Sequence, residues 1–485
     1  MMQHMLLRLW NTTFMYSTAG ILVMASVALP SLAADTNPVL PPQKEYINPT
    51  ALKSVEAPVQ AAKQKPEDEP VEISLNTIVL FALSDNPDVQ IALAQEKQAL
   101  ANVGKADAKF YPLVDFSAEA GAEHNFPAAS AFGGGSHINP NRRVNISMRQ
   151  LIYDWGLSKS VYNQQKQLKD SAKIQTRINE EGVLTDAIGF YLDILNYQQS
   201  LANTEVFVTR LRELNKIIKE MYEGGGTSKA TLDYANSRLA SAETEINNMR
   251  ASLNDAMSNL EFLTGKLPVF KAVNPDDLDP MKLDIQQYIE TAQAENSGLM
   301  RGRSDLKAMD HKLGAAEKAM YPTVSFVSSA EDKFNDGGEI GTVRNAEAVV
   351  QLNWRLFDGS ERKEQINLIR GQREEMEIAQ SKAIREILRE IELSYNQINA
   401  VQESIRQTDK EVVSSEALQR TNRENFKYGS INIIELIEGE ERLNAARTRT
   451  TRLRSDLYMN TYRILVMSGM LKKDYFCEGC VNPNI

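Results

Sequence analysis

Apolar side chains recur at alternating steps of three and four residues along two long stretches of the chain. In the first stretch the periodic positions are Leu232, Ala235, Leu239, Ala242, Ile246, Met249, Leu253, Ala256, Leu260 and Leu263. This spacing puts one stripe along an α-helix, and such stripes favour a left-handed supercoil between packed helices. The pattern predicts a helix over about residues 229–264, and by itself it also fits a plain coiled coil or helical bundle.

The second stretch repeats the first in the same phase. Its periodic positions are Leu436, Gly439, Leu443, Ala446, Thr450, Leu453, Leu457, Asn460, Ile464 and Met467. They predict a helix over about residues 432–469, and longer helices precede the two stretches over about residues 157–223 and 358–427. At 1.5 Å per residue, each longer helix spans roughly 100 Å, which exceeds the size of a globular domain.

Several other features occur twice, which indicates an internal duplication. KFYPLV around Tyr111 matches MYPTV around Tyr321, and LIYDWG matches LFDGS with a one-residue slip. The glycines that end FLTG and VMSG, Gly265 and Gly469, lie 204 residues apart. The predicted regions are a first repeat over 73–270, an inter-repeat linker over 271–283 and a second repeat over 284–471.

Each repeat also contains two segments in which apolar and polar residues alternate. The predicted strands cover about residues 113–123, 144–153, 323–332 and 346–357. Their length suits a membrane-spanning β-strand, although a half-buried hairpin of a soluble domain has the same alternation. Four strands cannot close a barrel, and open edges are not tolerated in lipid, so several copies must combine. Three copies would supply twelve strands.

The two ends of the chain differ from the repeats. Residues 1–33 have an early arginine, a short apolar core and small residues before Ala34, which predicts a secretory signal peptide rather than a membrane anchor. Residues 34–72 are proline-rich and predict an extended linker, and residues 472–485 form a tail. In an exported protein, Cys477 and Cys480 of this tail more readily form a local disulfide than a metal or redox site.

Composition excludes several classes of function. The chain has 485 residues and a net charge of −10, with acidic and basic residues intermixed, so we expect no nucleic-acid partner. The four histidines show no spacing of a zinc site or a catalytic triad. We therefore expect no enzyme activity, no cofactor and no resident metal.

The order helix, strand, strand, long helix, helix, repeated behind a signal peptide, resembles the TolC family of outer-membrane channel proteins. The likeness runs from about Ser74 to Leu471 and includes SLNTIVLFALSDNPDVQIALAQ, both Tyr-Pro turns, and LIYDWG with LFDGS. The resemblance implies a mainly α fold with a membrane β-barrel. In that fold a trimer forms a twelve-strand barrel, which a long α-helical barrel continues into the periplasm.

The resemblance also implies a function and partners. Such proteins are passive exit ducts in the outer membrane, and they connect through a periplasmic adaptor to an inner-membrane transporter. The expected partners are two further copies of the chain, the adaptor, a transporter, here of the ABC type, and outer-membrane lipid. Type I secreted protein is the favoured cargo, and a drug or toxic-compound efflux pump is the alternative. A soluble periplasmic coiled-coil adaptor or structural protein is the second alternative.

Site residues follow from the resemblance. In related channels two acidic residues after the second bend line the periplasmic entrance, and Glu435 and Glu438 occupy their places. Three copies would gather six carboxylates, which attract cations. The alternative is that these glutamates only stabilise a helix N-terminus.

Further candidates lie at the two bends. Asp233, Phe426 and Ile431 match positions of a polar link that holds some family channels shut, but isoleucine and phenylalanine here replace an arginine and a tyrosine. Closure is therefore expected to depend on packing of Phe426 and Ile431. The expected adaptor contacts are Gly226, Thr227, Ser228, Gly429 and Ser430, although turns and caps need such residues anyway.

Overall fold

A computed structural model describes most of both predicted repeats. The described residues are 71–125, 137–265, 270–275, 284–336 and 341–471. The predicted signal peptide, nearly all of the predicted linker over 34–72 and the tail with Cys477 and Cys480 lie outside these residues. No helix within the described ranges is long and apolar enough to cross a membrane.

The helices follow the duplicated order. They are α1 (Leu75–Asp85), α2 (Pro87–Asp107), α3 (Leu157–Glu223), α4 (Lys229–Thr264), α5 (Ile285–Glu295), α6 (Ser297–Lys318), α7 (Glu361–Lys427) and α8 (Ile433–Met467). The two longest helices, α3 and α7, have 67 residues each and run antiparallel to the shorter helix that follows them. α3 packs on α4, α6 and α8, so it joins the first repeat to the second.

Four long strands form one antiparallel sheet. They are β2 (Leu113–Asn125), β3 (His137–Tyr153), β5 (Thr323–Phe334) and β6 (Thr342–Asn353), in the order β2-β3-β5-β6. The two hairpins pair through β3 and β5, with a bulge between Leu151 and Tyr153. Within the described residues β2 and β6 each pair on one side only, so the sheet has two open edges.

A second, small sheet was not foreseen. β1 (Val71–Ile73) pairs in parallel with β4 (Phe270–Ala272), at the borders of the segments predicted as linkers. Tyr191 of α3 secures this pair: its hydroxyl oxygen lies 2.8 Å from the carbonyl oxygen of Ile73 and accepts a 2.8 Å hydrogen bond from the backbone N–H of Val273. Burial raises the pKa of Tyr191 to about 12, so the hydroxyl stays protonated.

Two asparagines repeat the same connection in both halves. Asn86 caps α2 by accepting a 2.8 Å hydrogen bond from the backbone of Asp88, and its amide nitrogen lies 3.5 Å from the carbonyl oxygen of Leu263. Asn296 caps α6 and donates a 2.9 Å bond to the carbonyl of Met467. Each side chain thus satisfies a helix N-terminus and the last turn of a distant helix at once.

The duplicated Asp motif turns the chain from sheet to helix. Asp154 accepts backbone hydrogen bonds from Gly156 at 3.0 Å and Ser158 at 2.7 Å. Asp358 accepts from the backbone of Ser360 at 3.2 Å. Both turns place two consecutive residues at positive φ, Trp155 and Gly156 in the first and Gly359 and Ser360 in the second. The aspartates hold this strained turn by binding free N–H groups.

Some predicted boundaries differ from the structure. The strand predicted over 144–153 begins earlier, at His137, because its polar first half pairs with the end of β2. The strand predicted over 346–357 occupies Thr342–Asn353 instead. Its partner β5 begins at Thr323 and cannot begin earlier, because Pro322 has no N–H group. Since Asn353 is the residue opposite Thr323, β6 ends there. The helix predicted from residue 358 begins at Glu361 because the two preceding residues are left-handed.

Candidate channel entrance and membrane sheet

The two bends carry the predicted docking residues at the end of the helices farthest from the sheet. Gly225 and Gly429 adopt positive φ, as the turns require. Ser228 caps α4, and its hydroxyl accepts a 3.2 Å hydrogen bond from the backbone of Thr231. Gly226, Ser228, Gly429 and Ser430 are exposed and Thr227 is half-buried. These residues therefore satisfy turn and cap geometry, and the exposed ones are also available to a partner.

An apolar cluster fastens the two bends together within one copy. It contains Phe207, Val208, Leu211, Leu214 and Ile218 of α3, Ala235, Ala242 and Ile246 of α4, and Ile433, Leu436 and Ile437 of α8. Phe426 is half-buried against this cluster, whereas Ile431 is half-buried in the bend and Asp233 is exposed on the second turn of α4. Of the three proposed gating residues, Phe426 is thus part of the packing inside a copy.

The two predicted acidic residues lie on the first turns of α8. Glu435 is exposed, and Glu438 is half-buried at 4.0 Å from the guanidinium of Arg442. Leu436 and Ile437 between them are buried in the bend cluster. The carboxylates therefore project from a fixed helical turn, and their position does not depend on a flexible loop.

Sequence reasoning missed a cation beside these carboxylates. Arg238 of α4 lies 3.4 Å from Glu441 of α8, and its guanidinium carbon lies 5.0 Å from the centre of the Tyr234 ring. The hydrogen bond with Tyr234 and the charges of Glu441 and Glu438 raise the pKa of Arg238. Arg238 thus stays charged and offsets part of the negative charge at this end of α8. Only the packing of α4 beside α8 reveals it.

A buried polar connection joins α7 to α8 just behind the bend. Gln419 donates a 3.0 Å hydrogen bond to the carbonyl of Leu436, and Arg423 donates to Glu440 through two nitrogens. Glu440 retains only 6% of its side-chain exposure. A Cβ at Gly439 would overlap the side-chain oxygen of Gln419, so the two helices approach closely at this glycine.

At the other end of the molecule, the sheet has one apolar and one polar face. The exposed apolar side chains include Val114, Phe116, Val144, Ile146, Val350 and Leu352. The opposite face carries an ionic network around Arg143, which lies 2.6 Å from Asp336, 3.5 Å from Glu331 and 3.6 Å from Glu119. A face of exposed apolar groups on a sheet suits lipid, whereas the charged face suits water.

Aromatic side chains mark the junction between sheet and helices. Tyr153 and Trp155 pack edge to face with ring centres 5.0 Å apart, and Trp155 lies 5.5 Å from Tyr321. Trp354, just beyond β6, donates a 3.1 Å hydrogen bond to the carbonyl of Met320. These half-exposed rings lie at the end of the apolar face that adjoins the helices. Aromatic rows of this kind occur where a barrel crosses a membrane–water interface.

Comparison with known proteins decides the family. The sequence profile of the family described as "Outer membrane efflux protein" matches residues 81–266 and 288–469, which together are well over half of the chain. The chain belongs to this outer membrane efflux protein family. The match covers both repeats, including both bends and all four long strands. The prediction of a TolC-like channel protein of the outer membrane is confirmed.

Individual members of the outer membrane efflux protein family are distant in sequence. The chain is 22% identical over 398 residues to "Nodulation protein T" of Rhizobium leguminosarum bv. trifolii, covering 78% of this chain and 81% of the relative. It is 20% identical over 409 residues to "Cation efflux system protein CusC" of Escherichia coli O157:H7, covering 78% and 82%. The crystal structure of the Campylobacter jejuni CmeC outer membrane channel is similar with a TM-score of 0.73 and 16% identity, covering 82% and 85%.

The structural likeness confirms the predicted fold class, a mainly helical channel fold with a β portion. Within the described residues, no three His, Cys, Asp or Glu side chains of one copy come together to hold a metal ion.

Proposed function

We propose that three copies of this chain form a passive efflux duct across the outer membrane. The observation that supports it is the sheet, which has an exposed apolar face and two open edges, β2 and β6. Open strand edges are not stable in lipid, so β6 of one copy pairs with β2 of the next until the ring closes. Twelve strands result, and the paired helices α3, α4, α7 and α8 continue the duct into the periplasm.

In this assembly the bends form the periplasmic entrance. Glu435 and Glu438 of three copies then make a ring of six carboxylates, which draws cations into the duct and repels anions. The exposure of Glu435, the partial exposure of Glu438 and the fixed turn that carries both support this role. The exposed bend residues Gly226, Ser228, Gly429 and Ser430, with Thr227 beside them, meet a periplasmic adaptor, through which an inner-membrane transporter delivers cargo. Closure of the resting entrance depends on packing at Phe426 and Ile431, and Asp233, on the second turn of α4, is the third candidate for this constriction.

The cargo is a toxic small compound or ion. Sequence reasoning favoured type I secreted protein, but the family match does not support that choice, and the efflux alternative replaces it. The similarity to a protein named for cation efflux supports this direction, as does an acidic entrance. The soluble-adaptor alternative is abandoned, because the chain belongs to an outer-membrane family. The duct performs no chemistry, and energy comes from the transporter.

Single-channel current in a planar lipid bilayer tests the duct and its entrance. We expect stable, cation-selective steps from the wild-type protein and a reversal potential shifted toward zero in Glu435→Gln/Glu438→Gln. Glu424→Gln is the matched control and should retain selectivity, because this exposed carboxylate of α7 is paired with Lys427 at 2.8 Å. A well-folded wild-type sample that never conducts contradicts the duct. Unchanged selectivity in the double variant contradicts the acidic ring.

A gene deletion in the source bacterium tests the cargo. We expect the deletion strain to become more sensitive to toxic compounds or metal ions, at least about fourfold in inhibitory concentration, and to keep its secreted proteins. Expression of the wild-type chain should restore resistance. Loss of a secreted protein with unchanged sensitivity would return the cargo assignment to type I secretion.

A further inference from the structure

Two arginines interrupt the apolar face of the sheet at the end far from the helices. Residues opposed in an antiparallel ladder lie on the same face. Arg344 of β6 is opposed to Asp332 of β5, which in turn is opposed to Val144 of β3. Arg142 of β3 is opposed to Phe334 of β5. Because Val144 is an exposed residue of the apolar face, both arginines project from that face.

The arginines lie at the height expected for lipid headgroups. Along β6, ten residues separate Arg344 from Trp354, which is about 34 Å at 3.4 Å per residue. With a strand tilt of about 40°, this corresponds to about 26 Å along the membrane normal, close to the apolar band of a membrane barrel. If the aromatic row marks the periplasmic interface, Arg142 and Arg344 mark the outer one.

Both guanidinium groups have donors to spare. The Arg344 side chain is 80% exposed, and its Nε donates a 2.9 Å hydrogen bond to Asp332, which leaves the two terminal nitrogens. Arg142 is exposed, and its guanidinium carbon lies 5.3 Å from the centre of the Phe334 ring. Stacking on a ring orients the guanidinium plane and leaves its N–H edge available. Among the described residues no carboxylate lies within ion-pair distance of Arg142.

Arg143, the neighbour on the polar face, is a contrasting case. It has three carboxylates around it, Glu119, Glu331 and Asp336. In the described part of the sheet, the apolar face has one carboxylate, Asp332, for two arginines, so a net positive charge remains there. An arginine on a lipid-facing strand position is strongly unfavourable at the midplane of a membrane and far less so near the interface. The placement at one end of the face fits an interfacial role.

We propose that Arg142 and Arg344 bind the phosphate of an outer-leaflet lipid headgroup. The two strands that carry them flank β5, and Arg344 lies two residues further along than Thr342, the residue level with Arg142, so the two backbone positions are about 12 Å apart at 4.8 Å per strand and 3.4 Å per residue. A headgroup over Phe334 can thus receive charge-assisted hydrogen bonds from both sides. The three copies of the barrel would carry three such sites. This site rests on the proposed function, because the apolar face must lie in the outer membrane.

Lipid retention by the purified trimer tests the site. Native mass spectrometry would compare binding of phosphatidic acid with binding of diacylglycerol that has the same acyl chains. We expect the wild type to prefer phosphatidic acid and Arg142→Ala/Arg344→Ala to bind it at least about tenfold more weakly, since charge-assisted hydrogen bonds are lost. Arg149→Ala, an exposed arginine of the polar face, is the matched control and should bind within about twofold of the wild type.

Further arms separate the possible failures. Arg142→Lys/Arg344→Lys keeps the charge and should retain most of the preference for phosphatidic acid over diacylglycerol. This variant provides a test if the alanine variant does not fold. A double alanine variant that binds phosphatidic acid like the wild type overturns the site, and so does full displacement of the lipid by inorganic phosphate. Each variant is also measured in a planar bilayer. A conducting channel with no lipid preference overturns only this site, whereas a wild type without channels overturns the proposed function.

Discussion

The two bends come from duplicated hairpins but are held by different means. Behind the first bend, α3 and α4 are joined by exposed ion pairs, such as Arg212 with Glu243 at 2.8 Å, whose side chains are 59% and 44% exposed. Behind the second, α7 and α8 are joined by the buried Arg423–Glu440 pair and by Gln419 against Gly439. Exposed ion pairs contribute little to the stability of the fold, whereas breaking a buried pair destabilises it strongly. The polar connection behind the second bend is therefore expected to be the stronger one, whereas the first hairpin depends more on the apolar bend cluster.

The largest expected effect comes from breaking the buried pair. Arg423→Ala leaves the buried carboxylate of Glu440 without its cation, and we expect a loss of about 2–3 kcal/mol in local stability. This is below the 3–5 kcal/mol of fully buried pairs, because Arg423 keeps 38% exposure. Hydrogen exchange of the backbone of residues 415–445 measures it. Arg212→Ala on the first hairpin is the control, expected to lose at most about 1 kcal/mol, and equal losses in the two variants would refute the contrast.

A smaller effect is expected at the close approach of α7 and α8. Gly439→Ala forces the buried Gln419 side chain to move, and we expect a loss of about 1–2 kcal/mol, as for other overpacking changes. Thermal unfolding of the trimer measures the change. The comparison variant is Gly371→Ala, since a Cβ there meets nothing within 4 Å. That variant should gain up to about 1 kcal/mol because alanine favours the helix. Equal shifts of the same sign in both variants would argue against close packing at Gly439.

The smallest effect on stability is expected from the exposed cation near the entrance. Arg238 is 44% exposed, so Arg238→Ala should change stability by less than about 1 kcal/mol. Cation selectivity in a planar bilayer should nevertheless rise, because Glu438 and Glu441 lose a neighbouring positive charge. Arg250→Ala, which breaks the exposed pair with Glu205, serves as the control and should leave selectivity unchanged. Lower selectivity in Arg238→Ala would mean that Arg238 orders the acidic side chains more than it offsets their charge.

Periodicity predicted the helices well because each buries one continuous stripe. The stripe from Leu232 to Leu263 corresponds to α4, Lys229–Thr264, and the one from Leu436 to Met467 to α8, Ile433–Met467. Strand ends were less predictable. Trp354 and Leu356 continue the apolar alternation past the last residue of β6. β6 ends where its partner β5 begins, and the first residue of β5 is fixed by Pro322, which belongs to another segment of the chain.

Site prediction was limited for a similar reason. Glu435 and Glu438 could be named from their place after the bend, but Arg238 lies almost 200 positions earlier. Its effect on them exists only because α4 and α8 pack side by side. Phe426 stays a proposed closing residue, and only the packing shows that it also contacts the bend cluster of its own copy.

Taken alone, the amino-acid sequence determined the duplication, the long helices, the alternating strands and the family resemblance, because these depend on local periodicity and on order along the chain. Only the tertiary structure decided which groups share an environment. Tyr191 closes the small sheet of β1 and β4, and Arg142 and Arg344 reach the apolar face through the register of three strands. Such neighbours come from distant segments, and pairing register and helix packing are settled by the whole fold.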